Sequence, residues 1–164
     1  MKNISQIIDR MTEYYTGDPR RINHFLKVHA FAKAIGELEE LDAHTLFILE
    51  AAAVVHDIGI KLSEKKYGSS AGNYQELEGP PIAWEMLTEL CIDAKVVERV
   101  CYLVGHHHTY GSIDGLDYRI LVEADFLVNI YEDNLSAAQA NMICNKYFKT
   151  KTGITLLNRM YPNS

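Results

Sequence analysis

Apolar residues recur along the chain at three- and four-residue intervals, and no stretch alternates with a sustained period of two, so the pattern predicts helices without a sheet. Ile4, Ile7, Ile8, Met11, Tyr14 and Tyr15 mark a first amphipathic helix, which Gly17-Asp18-Pro19 ends. Residues 20–41 combine good helix formers with an apolar face through Leu26, Val28, Ala32 and Ile35. Residues 43–56 contain the run LFILEAAAVV, too long and too rich in Ala for a typical strand, and read as a buried helix stopped near Gly59. Residues 61–79 break the pattern with Gly, Ser and charges, which predicts a loop with one short helical turn. Pro80 or Pro81 suits the first turn of a helix reaching about residue 91, and Asp93 can cap the next one, through VVERVCYLVG. That helix runs into His106-His107-His108; residues 116–131 form another, Ser136 caps a further one, and the tail after Gly153 is helical. The expected fold is all-α, a bundle of about seven helices. Residues 20–41, 43–56 and 116–131 are its apolar centre, where Ala30, Ala32, Ala34 and Ala51 to Ala53 let axes approach to about 8–10 Å.

Composition narrows the class. The 164 residues suit one domain spanning 1–164, and 48% apolar with 23% charged residues excludes a disordered tail or a disulfide-dense miniprotein. Sixteen Lys and Arg against 22 Asp and Glu give a net charge of −6, so no basic stripe is available for duplex nucleic acid. Cys91, Cys101 and Cys144 are odd in number, lack CxxC spacing and sit among apolar residues, as free thiols in a reducing cytoplasm do. The N-terminal residues carry charges where a secretory signal needs an unbroken apolar run, and no later run reaches about 18 apolar residues. A cytoplasmic protein without membrane attachment is the expectation, and tyrosines on the first helix would permit a homodimer.

The informative residues are polar ones embedded in apolar helices: His24, His56-Asp57, the triple His, and Asp125 within LVEADFLV. Each alone has a plain structural reading. His24 could be a hydrogen-bonded core histidine, Asp125 a partner for Arg119, and the triple His a helix C-terminus complementing the dipole. Together they bring imidazole nitrogens and carboxylate oxygens onto central helices without a thiolate, the donor set of a transition-metal site. Asp57 has two oxygens and could bridge two ions. Glu78 reads as an acid favoured by a helix N-terminus, and Lys65 either meets a phosphate or belongs to a solvated turn. Tyr110 could stack on a base or simply pack; His29 and His44 read as structural or solvated. Gly68-Ser69-Ser70-Ala71-Gly72 matches G-x-S-x-G but lacks the preceding strand of a nucleophile elbow.

The ordered set of His24, AAAVVHDIG with His56-Asp57, HHH, and Asp125 in EAD resembles the HD-domain metal-dependent phosphohydrolase superfamily over roughly residues 20–133. Within it the likeness is greatest to the bacterial diadenosine-tetraphosphate hydrolases. The resemblance implies an HD-domain-like core over about residues 20–133. It also implies one or two divalent ions, iron, manganese or another transition metal, held by His24, His56, Asp57, Glu78, His106, His107 and Asp125. Glu78 stands where the family pattern places a His before a Gly-Pro helix start, and the family's HH pair is carried to His106 and His107, with His108 as competitor. The implied activity is hydrolysis of a phosphomonoester or phosphoanhydride, with a nucleotide as the small phosphorylated substrate, by metal-activated water. Asp57 would orient the water and Lys61, one residue later than the superfamily lysine, would neutralise developing charge, while Lys65 and Tyr110 would contact substrate. Two other functions share these residues: a di-iron oxygenase of the same superfamily, and a metal-dependent nucleotide sensor without turnover.

Overall fold

Capping residues set most helix starts. In the computed structural model, which describes residues 3–162, Asn3 forms a capping box with Gln6 at the start of α1 (Ile4–Tyr14). Asp18 accepts from the Arg21 N–H and Pro19 takes the first position of α2 (Pro19–Leu38); Asp42 accepts from two N–H groups of α3 (Ala43–Val55). After the His56-Asp57 turn come α4 (Ile60–Tyr67) and α5 (Gly72–Glu89), then α6 (Ala94–Val104), capped by Asp93. The chain continues through α7 (Leu116–Glu132), α8 (Ala137–Tyr147), with a capping box from Ser136 and Gln139, and α9 (Lys151–Met160), capped by Thr150. These nine helices, and no strand, are found among the described residues. None is long and apolar enough to cross a membrane.

The run read as a buried helix is buried throughout: every residue of α3 from Ile48 to Val55 is inaccessible or nearly so. Its alanines allow close packing against α2, α6 and α7, and α1 lies across its other side. Eleven of the 17 residues of α7 are buried, so α7, which carries Asp125, and α3, which ends at His56-Asp57, lie at the centre of the bundle. Each fully enclosed aliphatic side chain there, such as Leu49, Leu121 or Leu127, contributes about 1.5–3 kcal/mol relative to exposure.

The structure departs from the sequence expectation between residues 60 and 89. Residues 61–79 are not a loop: α4 occupies Ile60–Tyr67 and ends at Gly68, whose φ of 63° provides the left-handed cap, and α5 already begins at Gly72. Pro80 and Pro81 lie inside α5 instead of opening it. An internal proline costs a helix about 3 kcal/mol in isolation, so neighbours must hold this one together. Glu76, one turn before Pro80, accepts hydrogen bonds from the His108 N–H (3.0 Å) and Thr109 Oγ1 (2.9 Å), and the Gly79 face packs on Gly59 and Val104. Tertiary contacts override the local signal. The tail helix α9 starts at Lys151, just before the Gly153 expected to precede it.

Candidate metal centre

Two histidines of the site end up oriented because helix C-termini leave carbonyl groups without intrahelical donors. His56, immediately after α3, turns Nδ1 back to donate to Ala53 O (2.8 Å), and His107, in the turn after α6, donates from Nδ1 to Val104 O (2.8 Å). A carbonyl only accepts, so both rings carry a proton on Nδ1 and aim Nε2 at the cluster, the atom whose lone pair a cation would take. His24, in the second turn of α2, is oriented by a carboxylate: Glu132 at the end of α7 accepts from its Nδ1 at 3.1 Å.

The Nε2 atoms of His24 and His56 lie 3.2 Å apart. Asp57 Oδ2 is 3.2 Å from the first and 3.4 Å from the second, and Asp125 Oδ1 is 3.3 and 3.5 Å from them. Metal bonds of about 2.0–2.2 Å to imidazole and carboxylate place neighbouring donors of one coordination shell roughly 3–3.5 Å apart, which is the spacing of the two imidazole nitrogens from each other and from both carboxylates. The other oxygen of Asp57, Oδ1, lies 3.5 Å from His107 Nε2, which is buried and has no hydrogen-bond partner. An unsatisfied buried imidazole nitrogen is costly, and a cation beside it removes the cost. His24, His56 and Asp57 form one group able to hold a metal, and Asp57, His107 and His108 form a second. Asp57 belongs to both, with one oxygen turned toward each.

Surrounding bonds fix these side chains. Tyr15 Oη donates to the Asp57 carbonyl (2.7 Å), Asn129 Nδ2 donates to Asp125 Oδ1 (2.9 Å), and Gln75 accepts from His108 Nε2 at 3.1 Å while donating to Ser70 O. The turn bearing His107 and His108 is closed by Tyr118, whose hydroxyl sits between the carbonyls of His106 and Thr109, and by Arg99, which binds Asp114 and Asp117. Electrostatically the cluster already behaves as a cation site. Burial would raise Asp57 and Asp125, but His56, His107 and His24 outweigh it and hold both carboxyls well below the usual range. Burial would lower His24 and His56, yet the same carboxylates win: His24 is raised to about 9, and His56 also lies well above its usual value. His108, half-buried and beside His107, is pushed down to about 4 by its partial loss of water and that neighbouring imidazole.

Of the residues singled out in the sequence, His24, His56, Asp57, His107 and Asp125 meet here. The others do not. His106 donates from Nδ1 to Tyr102 O and stacks on the Tyr102 ring, outside both groups, and His108 takes the inward position. Glu78 is bound by Lys66 Nζ (3.0 Å to each oxygen) and by the Tyr67 hydroxyl (2.7 Å), facing the last turn of α4 instead of the cluster. Lys61 turns to the opposite side, donating to Tyr14 O and lying over the Tyr14 ring. Lys65 is exposed on α4, and Tyr110 packs against Phe126 and Tyr147. None of these five lines the cavity of about 310 Å³ that opens onto His24, Asp57 and Asp125, whereas Arg20, Arg21, Gln75, Asn129 and Glu132 do. A signal for two of the missed residues exists: Asp125, Asn129 and Glu132 stand at i, i+4 and i+7, a polar stripe on a helix otherwise buried.

A family model described as HD domain matches residues 21–142, a longer span than the 20–133 expected. Among solved structures, the crystal structure of a predicted HD superfamily hydrolase from an uncultured Thermotogales bacterium aligns with a TM-score of 0.69 and 25% identity, covering 96% of this chain and 84% of its own. No curated protein matches the sequence.

Proposed function

The chain belongs to the HD domain family, and on that footing we propose that it is a metal-dependent phosphohydrolase acting on a phosphomonoester or phosphoanhydride, with a nucleotide as the substrate class. The observation that carries this reading is the pairing of the four-atom His-Asp quartet with the orphaned Nε2 of His107, joined through the two oxygens of Asp57. In the proposal His24, His56, Asp57 and Asp125 hold one divalent ion, and Asp57, His107 and His108 hold a second. Such ions, iron, manganese or another transition metal, would neutralise phosphoryl oxygens and lower the pKa of water so that it attacks phosphorus near neutral pH.

The protein's own contribution is position. Asp57 keeps its carboxylate ionised and its two oxygens divided between the groups, while Glu132 and the Ala53 and Val104 carbonyls hold three imidazoles in the lone-pair-inward tautomer. The water oxygen bonds to phosphorus, the phosphorus–oxygen bond to the leaving group breaks, and the leaving oxygen takes up the proton. A cavity of about 310 Å³ admits a small phosphorylated molecule and not a duplex.

Metal analysis of protein purified without chelator, followed by phosphate release from a panel of phosphoesters and nucleotides under nitrogen, tests the reading. Bound transition metal and oxygen-independent release are expected; activity that requires oxygen would instead indicate the oxygenase chemistry of the same superfamily, and tight nucleotide binding without product would indicate a sensor. Asp57→Asn should lose bound metal and reduce turnover by at least about a hundredfold, the scale of metal-dependent water activation. Wild-type turnover in that variant refutes the assignment.

A further inference from the structure

The polar stripe of α2 extends past the metal-type cluster in both directions. Arg20, His24 and Lys27 stand at i, i+4 and i+7 and share one helix face. Arg20 lines the cavity over His24 and Asp57, and it also lines an adjoining groove of about 360 Å³ formed with Pro19, Asn23, Lys27 and Glu132. Both spaces are lined by Arg20 and Glu132, so they lie side by side.

The cations around this opening differ in how far they are committed. Arg21 is paired with Glu64 at 2.6 Å, and Lys27 with Glu132 at 2.8 Å. Arg20 is exposed and makes neither an ion pair nor a side-chain hydrogen bond among the described residues. Glu64 and Asp133, on the wall of the same cavity, would repel an anion. Arg20 is therefore the uncommitted side-chain cation that an entering phosphate meets, and its planar fork suits two phosphate oxygens at once.

We propose that Arg20 and this groove form a second anion subsite, which binds a phosphate linked to the one lying over the His-Asp cluster and so selects phosphoanhydrides over simple monoesters. The proposal rests on the phosphohydrolase reading and narrows its substrate class. The open groove of about 360 Å³ beside the cavity has room for a second phosphate, and its Lys27 is held by Glu132.

Calorimetric titration of the manganese-loaded protein with methylphosphonate and with methylenediphosphonate, one and two linked anions that resist hydrolysis, tests it. The wild type should prefer the diphosphonate, and Arg20→Ala should cut that preference about tenfold, the scale of one bidentate charged contact. Arg20→Lys should restore only part of it, because an ammonium lacks the fork. Because Arg20 is exposed, the substitution should leave the unfolding temperature unchanged. Equal wild-type affinity for the two probes, or an equal loss for both in Arg20→Ala, overturns the subsite. Failure of phosphate release in the substrate panel would instead overturn the hydrolase reading, and the ratio of phosphonate affinities would still be legible.

Discussion

His56 and His107 owe their roles to a small piece of local chemistry. Each sits one to three residues beyond a helix end and satisfies the carbonyl three residues back, so the ring is locked with Nε2 facing inward. The same residue-scale logic explains an acid outside the cluster. Glu123, fully buried on α7, accepts from the Lys149 N–H (2.6 Å), the Thr150 N–H (2.9 Å) and the Thr150 hydroxyl, and so ties α9 to the core. Burial outweighs these bonds and raises its carboxyl pKa above the ordinary glutamate value. The folded protein thus binds this proton more tightly than the unfolded chain. The contribution is fully favourable below the ordinary value and is lost as pH rises from there through the raised one. Glu123→Gln, which keeps an acceptor for both N–H groups, is expected to flatten the pH dependence of unfolding free energy in that interval. Parallel urea-denaturation profiles for the two proteins would contradict this account.

At the scale of elements, the site depends on how closely α5 approaches the turn that follows Asp57. A Cβ built on Gly59 would lie 2.7 Å from Gln75 O and 2.8 Å from Gly79 N, and one on Gly79 would lie 2.7 Å from Val104 Cγ1. Two glycines in contact therefore let α5 press Gln75 and Glu76 toward the turn bearing His108. The neighbours of Gly59 are backbone atoms that cannot turn aside. Gly59→Ala is expected to destabilise the protein by about 1–3 kcal/mol through overpacking, measured by chemical denaturation. Stability within 0.5 kcal/mol of wild type, about the spread of inert surface substitutions, would show that α5 shifts freely. This contact also explains why the prolines mislead a local reading: α5 passes through Pro80 and Pro81 because contacts on both sides of them hold its axis in place.

Over the whole molecule, the cluster joins α2, the end of α3, the turn after α6 and the middle of α7, segments separated by up to about a hundred residues of chain. Ions held there would act as cross-links of the native state. Free ion at about 100 times its dissociation constant stabilises by about 2.7 kcal/mol, and for a protein of this size each kcal/mol moves Tm by about 2–4 °C. Chelation is expected to lower Tm by roughly 5–10 °C and manganese to restore it, with Asp57→Asn insensitive to both; an unresponsive wild type would count against a metal centre. Periodicity and capping residues suffice, from the sequence by itself, to determine the all-helical class, the central helices α2, α3 and α7, and the embedded polar residues His24, His56, Asp57 and Asp125. That is because a buried ionisable group on an apolar helix face is costly wherever the helix packs, so it stands out before the fold is known. Only tertiary structure decided that His108 and not His106 turns inward, that Gln75 and not Glu78 reaches the cavity, and that Lys61 faces α1. Those orientations follow from where α6 stops, where α5 starts and which neighbour offers a partner, and none of these is encoded within a few residues of the side chain concerned.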